Sequence, residues 1–100
     1  MAAKRERDQV IERVLRGPGK TSAAVRRAAF DNTGVAEPAR ALIDKVAKTA
    51  WKVTDDDLAA MKRVHTDDEV YEQVVAAALG QATRQRDAAI AALDEALKKP

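Results

Sequence analysis

The sequence predicts an all-α domain of four to six helices. Residues that favour helices, chiefly Ala, Arg, Lys, Glu and Leu, dominate the 100 positions. Apolar residues recur at steps of three and four along the chain, which is typical of helices with one buried face. The few Gly and Pro residues fall between these periodic stretches, and no alternating run long enough to indicate a buried strand is present.

The first two helices are predicted at about residues 3–16 and 23–31. The first ends at residues 17–19, Gly-Pro-Gly, because Gly permits a left-handed cap and Pro cannot continue a helix. Thr21 or Ser22 is expected to cap the second helix, since a hydroxyl can accept a hydrogen bond from a free amide at a helix start.

A third helix is predicted from about Glu37-Pro38 to Val53, since Pro is tolerated in a first turn. Thr54 is followed by three Asp residues, which indicates the start of a short fourth helix. There the hydroxyl can accept from free amides, and the carboxylates suit the positive end of the helix dipole. This helix is expected to end at residues 62–63, Lys-Arg.

The last predicted helix is the longest. Thr66 and Glu69 match a capping box at its start. Its predicted apolar stripe begins with Val70, Tyr71, Val74, Val75, Ala78, Leu79 and Ala82, and continues to Leu97. Gly80 costs about 1 kcal/mol relative to Ala inside a helix, so it indicates a close helix crossing or a bend. The sequence therefore predicts either one helix of some thirty residues or two helices joined near residues 83–85.

Composition excludes several classes of protein. Ala supplies 22 of the 46 apolar residues, so the core must be thin. Without Cys the chain has no disulfide, thiol nucleophile or Cys metal ligand, and one His cannot form a His-rich metal site. No apolar run approaches the roughly 20 residues of a membrane span, and residues 1–7 lack the apolar segment of a secretory signal. We therefore expect a single cytoplasmic domain over residues 1–100, with no cofactor, metal or membrane partner.

Charge gives little support for nucleic-acid binding. Residues 1–40 hold nine Lys and Arg against five Asp and Glu, whereas residues 41–100 hold nine against eleven. Nucleic-acid binders carry a denser basic face, so nucleic acid is not an expected partner. Residues 19–21, Gly-Lys-Thr, resemble the end of a phosphate-binding P-loop, but Val14 stands where that motif needs its first Gly. We interpret these residues as a turn between helices.

Polar candidates for chemistry are few. His65 is the one side chain whose ordinary pKa lies near neutrality. The candidate catalytic residues are His65, Tyr71, Glu72 and Arg84. They would have to converge around a pocket near Trp51. A second set is predicted at the core or at an interface, because large rings in an Ala-rich protein commonly fill such space. This set consists of Trp51, Tyr71, Val74 and Ala78.

Residues 42–58, LIDKVAKTAWKVTDDDL, resemble a helix-turn-helix segment of the AhpD-like superfamily, which groups alkylhydroperoxidase D with the carboxymuconolactone decarboxylases. Residues 70–84 resemble the long helix that follows in that fold, and residues 15–21, LRGPGKT, resemble the entry of its small members that lack Cys. The resemblance covers about residues 15–97 and is best over 42–84. It implies an AhpD-like helical bundle that assembles into homodimers, trimers or hexamers.

The resemblance does not bring the family's peroxidase activity with it. That activity uses a Cys-x-x-Cys pair and a His four residues after the second Cys, and these roles fall near Glu37, Arg40 and Asp44. None of these residues is a thiol, and a carboxylate cannot replace an imidazole in proton transfer near pH 7. Thiol-dependent hydroperoxide reduction is therefore excluded, whereas lactone decarboxylation does not need a thiol.

Three functions remain open from the sequence. The leading hypothesis is a non-redox AhpD-like homo-oligomer that acts as a helical scaffold or binds a small molecule of unknown identity. The second is a thiol-independent enzyme of the lactone or decarboxylase type. The third is a helical interaction module for another protein, which would use the basic first helix.

Overall fold

A computed structural model describes residues 2–98 and folds them into five α-helices and one short 3-10 helix. In chain order these are α1 (Ala2–Arg16), α2 (Ala23–Asp31), α3 (Ala39–Lys48), the 3-10 helix (Ala50–Lys52), α4 (Asp55–Lys62) and α5 (Asp67–Lys98). The predicted all-α fold of four to six helices is confirmed, and the described residues contain no strand.

The core lies where α1 to α4 pack on the first half of α5. Each α-helix contributes at least one buried apolar residue, and the loop between α2 and α3 contributes Val35. The largest side chains that are completely buried belong to Leu42, Ile43 and Met61. The cluster also includes several Ala residues, namely Ala29, Ala39, Ala76 and Ala77. The core is therefore thin, as the composition requires.

Gly80 marks a close crossing of α2 over α5. A Cβ atom at position 80 would lie 2.7 Å from the carbonyl carbon of Phe30 and would overlap its carbonyl oxygen. Gly is required here because the backbones of the two helices touch. Helix α5 continues through Gly80 and through residues 83–85 without a break. Of the two predicted possibilities, the structure therefore has one long helix, and Gly80 serves the crossing.

Side-chain caps fix the starts of α2, α4 and α5. Ser22 caps α2 by accepting a hydrogen bond from a backbone N–H of the first turn. Thr54 and Asp57 form a reciprocal capping box at α4, and Thr66 and Glu69 form another at α5. These caps satisfy amides that have no partner within the helix. The predicted caps of the last two helices are confirmed.

Helix α3 is shorter than the sequence predicted. It begins at Ala39 and ends at Lys48, whereas the prediction covered residues 37–53. Thr49 leaves the helix with φ −144° and ψ 59°, and Thr is a weak helix former because its β-branched side chain is restricted against the preceding turn. The N–H of Lys52 then donates to the carbonyl oxygen of Thr49 at 2.8 Å. This 3-10 turn redirects the chain into the cap of α4.

The buried face of α5 is rotated relative to the predicted stripe. The buried residues are Val70, Gln73, Ala76, Ala77 and Gly80. Val74 and Leu79 pack partly against the core, while Tyr71, Ala78 and Ala82 are exposed. The crossing of α2 explains the difference. A close approach of two helices needs small residues, so it selects the face of α5 that carries Ala and Gly.

Candidate functional site

An apolar groove lies between α2, the loop before α3 and the turn between α4 and α5. We call it the His65 groove. Its volume is about 510 Å³, which is within the range of small-molecule sites. Its apolar lining consists of Ala24, Val25, Ala28, Gly34, Val35, Ala36, Pro38, Ala39 and Val64. Three polar side chains line it as well, namely Glu37, His65 and Gln73. An apolar surface with a few polar groups is typical of ligand sites.

Gln73 is a buried polar side chain in the lining of the His65 groove. The residue is 3% exposed, and its Nε2 donates to the carbonyl oxygen of Glu69 at 3.2 Å. That oxygen can only accept, so the amide nitrogen must face it and Oε1 lies on the other side of the amide. Oε1 accepts no hydrogen bond from a described residue.

Gln73 was not predicted as a site residue. A signal was present, because Gln73 shares its helix face with Val70, Ala77 and Gly80. A long polar side chain on a buried face needs partners for both ends of its amide. The signal could not be interpreted from the sequence, because the buried face of α5 is fixed by its crossing with α2.

His65 lies in the turn between α4 and α5, with 27% of its side chain exposed. Its Nδ1 is 3.9 Å from Oε2 of Glu69. The backbone N–H of Thr66 donates to the Glu69 carboxylate and lowers the pKa of that group below its ordinary value. A carboxylate in front of Nδ1 favours the ring proton on that nitrogen, so Nε2 of the neutral ring is an acceptor.

The four candidate catalytic residues do not share one site. His65 approaches Glu69, Glu72 binds the loop between α1 and α2, and Arg84 binds the end of α2. Tyr71 is 69% exposed on the outward face of α5. Glu72 and Arg84 are twelve positions apart, which is about 18 Å along a helix. One substrate atom cannot contact all four side chains, so the geometry gives no support to the enzyme hypothesis built on them.

Glu72 anchors the loop between α1 and α2. Its carboxylate accepts from the N–H of Lys20 at 2.7 Å, the N–H of Thr21 at 3.0 Å and the Thr21 hydroxyl at 2.7 Å. The Lys20 amide, with the hydroxyl and amide of Thr21, lowers the pKa of Glu72 to about 2. A Cβ atom on Gly19 would lie 2.7 Å from Glu72 Oε1. The predicted turn thus binds an anion with its backbone, and that anion is a carboxylate of the same chain.

Arg84 and Arg26 close the C-terminal ends of two helices. Arg84 Nη1 donates to the Phe30 carbonyl oxygen at 2.6 Å, at the end of α2. Arg26 is buried, and its Nη1 donates to the carbonyl oxygens of Val14 and Gly17 at 2.9 and 2.8 Å, at the end of α1. Carbonyl groups at a helix C-terminus lack donors within the helix and carry partial negative charge. Both arginines therefore stabilise the fold through these bonds.

The three positions to which the resemblance assigns the peroxidase roles lie together. Glu37, Arg40 and Asp44 line a second cavity of about 400 Å³. The Asn32 amide donates to Asp44 at 3.0 Å and, together with Lys48, lowers the pKa of Asp44. Arg40 lies 3.6 Å from Glu37. These residues pair with charged or amide neighbours and include no thiol, so they cannot form or break a disulfide.

Three of the four residues predicted at the core or an interface lie at the surface of the chain. Trp51 is 79% exposed and Tyr71 is 69% exposed, and Ala78 is exposed as well. Placement in the core is wrong for these three, because Trp51 lies in the 3-10 turn beyond α3 and the other two lie on the outward face of α5. Val74 packs partly against the core. Placement at an interface stays a prediction.

An apolar stripe runs along the outward face of α5. We define the outer α5 stripe as Tyr71, Val75, Ala78, Ala82, Ala89 and Leu93. The steps from Tyr71 to Ala82 alternate between four and three, which is the heptad spacing of helix-helix seams. Gln85 occupies the next position of this register, Ala89 returns to it, and Leu93 lies beside it. Ile90 and Leu97 flank the stripe and are 41% and 75% exposed. The stripe is about 33 Å long, from the rise of an α-helix.

The second half of α5 projects beyond the bundle. All residues from 84 to 98 are exposed, and the chain measures 56 × 29 × 20 Å. Its radius of gyration is 15.5 Å, compared with about 13 Å for a compact domain of this length. Its accessible surface is 7012 Å², whereas a compact monomer of this mass exposes about 5,500 Å². The excess is therefore about 1,500 Å².

Comparison with known proteins finds no matching family model, and no curated protein or solved structure matches the chain. Within residues 2–98, no helix combines the length and apolar composition needed to cross a membrane. In the same part of the chain, no group of three or more His, Asp or Glu side chains is placed to hold a metal ion.

Proposed function

We propose that this chain is a non-redox homo-oligomer with a fold similar to that of the AhpD-like superfamily, and that it self-associates through the outer α5 stripe. The proposal rests on one observation. The stripe has the heptad spacing of a helix-helix seam over residues 71–89, with Gln85 at one seam position, and no described residue covers it along the second half of α5. The proposed occupant of this surface is a second copy of the same chain.

The size of the uncovered surface supports self-association. Each partner in a standard stable interface buries about 800 Å², and the surface of this chain exceeds that of a compact monomer by about 1,500 Å². Ala78, Ala82 and Ala89 leave room for a second helix to approach closely. Tyr71 and Leu93 supply larger apolar contacts at either end of the stripe.

The charge on the projecting half of α5 suits a partner with the same sequence. Residues 84–98 carry three basic and three acidic side chains, in the order Arg84, Arg86, Asp87, Asp94, Glu95 and Lys98. Because the two signs balance, two copies of this segment do not repel each other. The same balance gives no attraction for nucleic acid, whose binding depends on net positive charge.

A chain of this kind has no thiol peroxidase activity. It contains no Cys, and a disulfide cannot form at Glu37, Arg40 and Asp44, where the resemblance assigns the reacting groups. We expect no consumption of an organic hydroperoxide with dithiothreitol as the electron donor. Turnover above that of a heat-inactivated sample would contradict the proposal.

A pair of lysine substitutions on α5 tests the self-association. Leu93→Lys places a charge on the outer α5 stripe, whereas Ala91→Lys places the same charge on the opposite side of the same helix. Both positions are exposed, so neither substitution disturbs the core. In sedimentation velocity, the native chain and Ala91→Lys should be oligomers, and Leu93→Lys should shift towards monomer. Equal oligomer content in all three proteins would show that the stripe is not the contact.

The same measurement separates this proposal from the interaction-module hypothesis. That hypothesis predicts a stable monomer that keeps its apolar stripe open for another protein. A closed homo-oligomer buries the stripe of each copy against another copy. A native chain that stays monomeric would therefore favour the interaction module and contradict self-association.

A further inference from the structure

The outer α5 stripe has a centre of symmetry at Ala82. Its two largest members, Tyr71 and Leu93, are each eleven positions from Ala82. Val75 and Ala89 are each seven positions from it. Eleven residues complete about three turns of an α-helix, so residues spaced by eleven lie on the same side of α5. These five residues therefore have the same spacing when the helix is read in either direction.

A stripe with this symmetry is complementary to an antiparallel copy of itself. When two copies cross at Ala82 in opposite directions, Tyr71 of each chain lies opposite Leu93 of the other. In the same arrangement Val75 lies opposite Ala89, and the small Ala82 side chains let the two helices approach closely at the centre. Each contact then occurs twice, which is the property of the interface in a closed twofold dimer.

The position of Arg86 favours opposite directions over a parallel pair. Arg86 is four positions after Ala82, so it mirrors the remaining stripe residue, Ala78. In a parallel pair the two Arg86 side chains face each other, and Asp87, which lies 3.7 Å from Arg86, reduces this repulsion without removing it. In an antiparallel pair Arg86 lies opposite Ala78, and its aliphatic stem can cover that methyl group.

The two ends of α5 carry opposite charges. Its first turn contains Asp67 and Asp68, and its last turn contains Lys98. The Asp67 side chain is 85% exposed and lies 3.8 Å from Lys62. In an antiparallel pair centred on Ala82, Lys98 of each copy approaches these carboxylates of the other, and the helix dipoles are opposed as well. Exposed ion pairs add little affinity, but they select one direction over the other.

We propose that two copies of this chain pair through their outer α5 stripes in opposite directions, with Ala82 of both copies at the twofold axis. The projecting half of α5 in each copy then covers Tyr71, Val75 and Ala78 on the bundle of the other copy. This inference rests on the proposed function, because it states how the two copies are arranged at that contact.

Single cysteine substitutions test the direction, since the chain has no Cys of its own. In an equimolar mixture of Tyr71→Cys and Leu93→Cys, mild oxidation should give a disulfide-linked dimer, because these positions lie opposite each other. Either variant alone should remain a single chain. Its two thiols are then about 33 Å apart, whereas a disulfide needs Cα atoms within about 7 Å. Tyr71→Cys mixed with Ala91→Cys, on the other side of α5, is the matched control and should not crosslink.

Two alanine positions make the test independent of the large side chains. Ala82→Cys should crosslink by itself, because the axis brings its two thiols together in either direction of pairing. Ala89→Cys should not, since its thiols are about 21 Å apart in an antiparallel pair and adjacent in a parallel one. Both positions are exposed, so neither substitution disturbs the core. Mass under denaturing, non-reducing conditions measures the crosslinked fraction.

The outcomes separate the direction of pairing from self-association itself. Crosslinking of Ala89→Cys or Leu93→Cys alone would show a parallel pair, which overturns this inference and leaves self-association intact. A native trimer would do the same, because a twofold pair contains two chains. A native oligomer in which neither Ala82→Cys nor the mixture crosslinks would place the contact elsewhere and overturn both this inference and the role of the stripe. A monomeric native chain would contradict both proposals.

Discussion

Glu72 joins two parts of the chain that are about fifty residues apart. Its carboxylate accepts three hydrogen bonds from Lys20 and Thr21. We expect Glu72→Gln to lower the free energy of unfolding by about 1–2 kcal/mol. Hydrogen bonds to a charged acceptor are stronger than those to an amide, and screening by solvent reduces this difference. Urea denaturation measures the change. Glu95→Gln, on the exposed end of α5, is the matched control and should be neutral.

The Glu72 carboxylate also predicts how the stability of the chain changes at low pH. The pKa of Glu72 is about 2 in the folded chain, below the ordinary value of 4.5. A lowered pKa contributes stability that is fully present above the ordinary value and is lost as the pH falls from about 4.5 towards 2. The native chain should therefore lose more stability than Glu72→Gln over this window. Parallel pH profiles of the two proteins would contradict the assignment. The shifts of Asp44, Asp57 and Glu69 act in the same direction and are common to both proteins.

Residue roles were harder to predict than residue positions. His65 was recognised from its chemistry, and it does line a groove. Glu72 was predicted to be catalytic. Its role as an anchor could not be predicted, because no sequence pattern connects it with the turn at residues 20–21, which it contacts only in the folded chain. Gln73 was missed for a similar reason, since a buried Gln looks like a surface residue until the face of its helix is known.

The crossing of α2 over α5 determines which face of α5 is buried in the bundle. We expect Gly80→Ala to destabilise the chain by about 1–3 kcal/mol, because the added methyl group overlaps the Phe30 carbonyl and forces the helices apart. This outcome opposes helix propensity, by which Ala is favoured over Gly by about 1 kcal/mol. Thermal unfolding measures the change. Gln85→Ala, at an exposed position of the same helix, should be neutral or slightly stabilising. A stabilised Gly80→Ala protein would contradict the close crossing.

The starts of the helices that have side-chain caps could be predicted from the sequence, whereas the bounds of α3 and the buried face of α5 could be predicted only in part. The Thr54 and Thr66 caps are local, because each hydroxyl and its partner lie within three residues. The end of α3 depends on the single residue Thr49, which leaves the helix in spite of an apolar pattern that continues to Val53. The face of α5 depends on contact with α2, and apolar residues occur on more than one side of α5. Periodicity alone therefore could not select the buried side.

The proposed function rests on the second half of α5, which projects beyond the bundle. The chain is longer and has more surface than a compact domain of its mass. An isolated helical extension of this length is marginal in water, since helices of fewer than about 15 residues depend on tertiary packing for stability. A second copy against the outer α5 stripe supplies that packing.

The absolute mass of the native chain in solution decides whether it self-associates, and light scattering measures it over a range of concentrations at low and high salt. We expect an oligomer of the 10.8 kDa chain. Its mass should not fall as salt rises, because the proposed contact is apolar and the charges of the projecting half balance. A mass of 10.8 kDa at every concentration and at both salts would contradict self-association through α5.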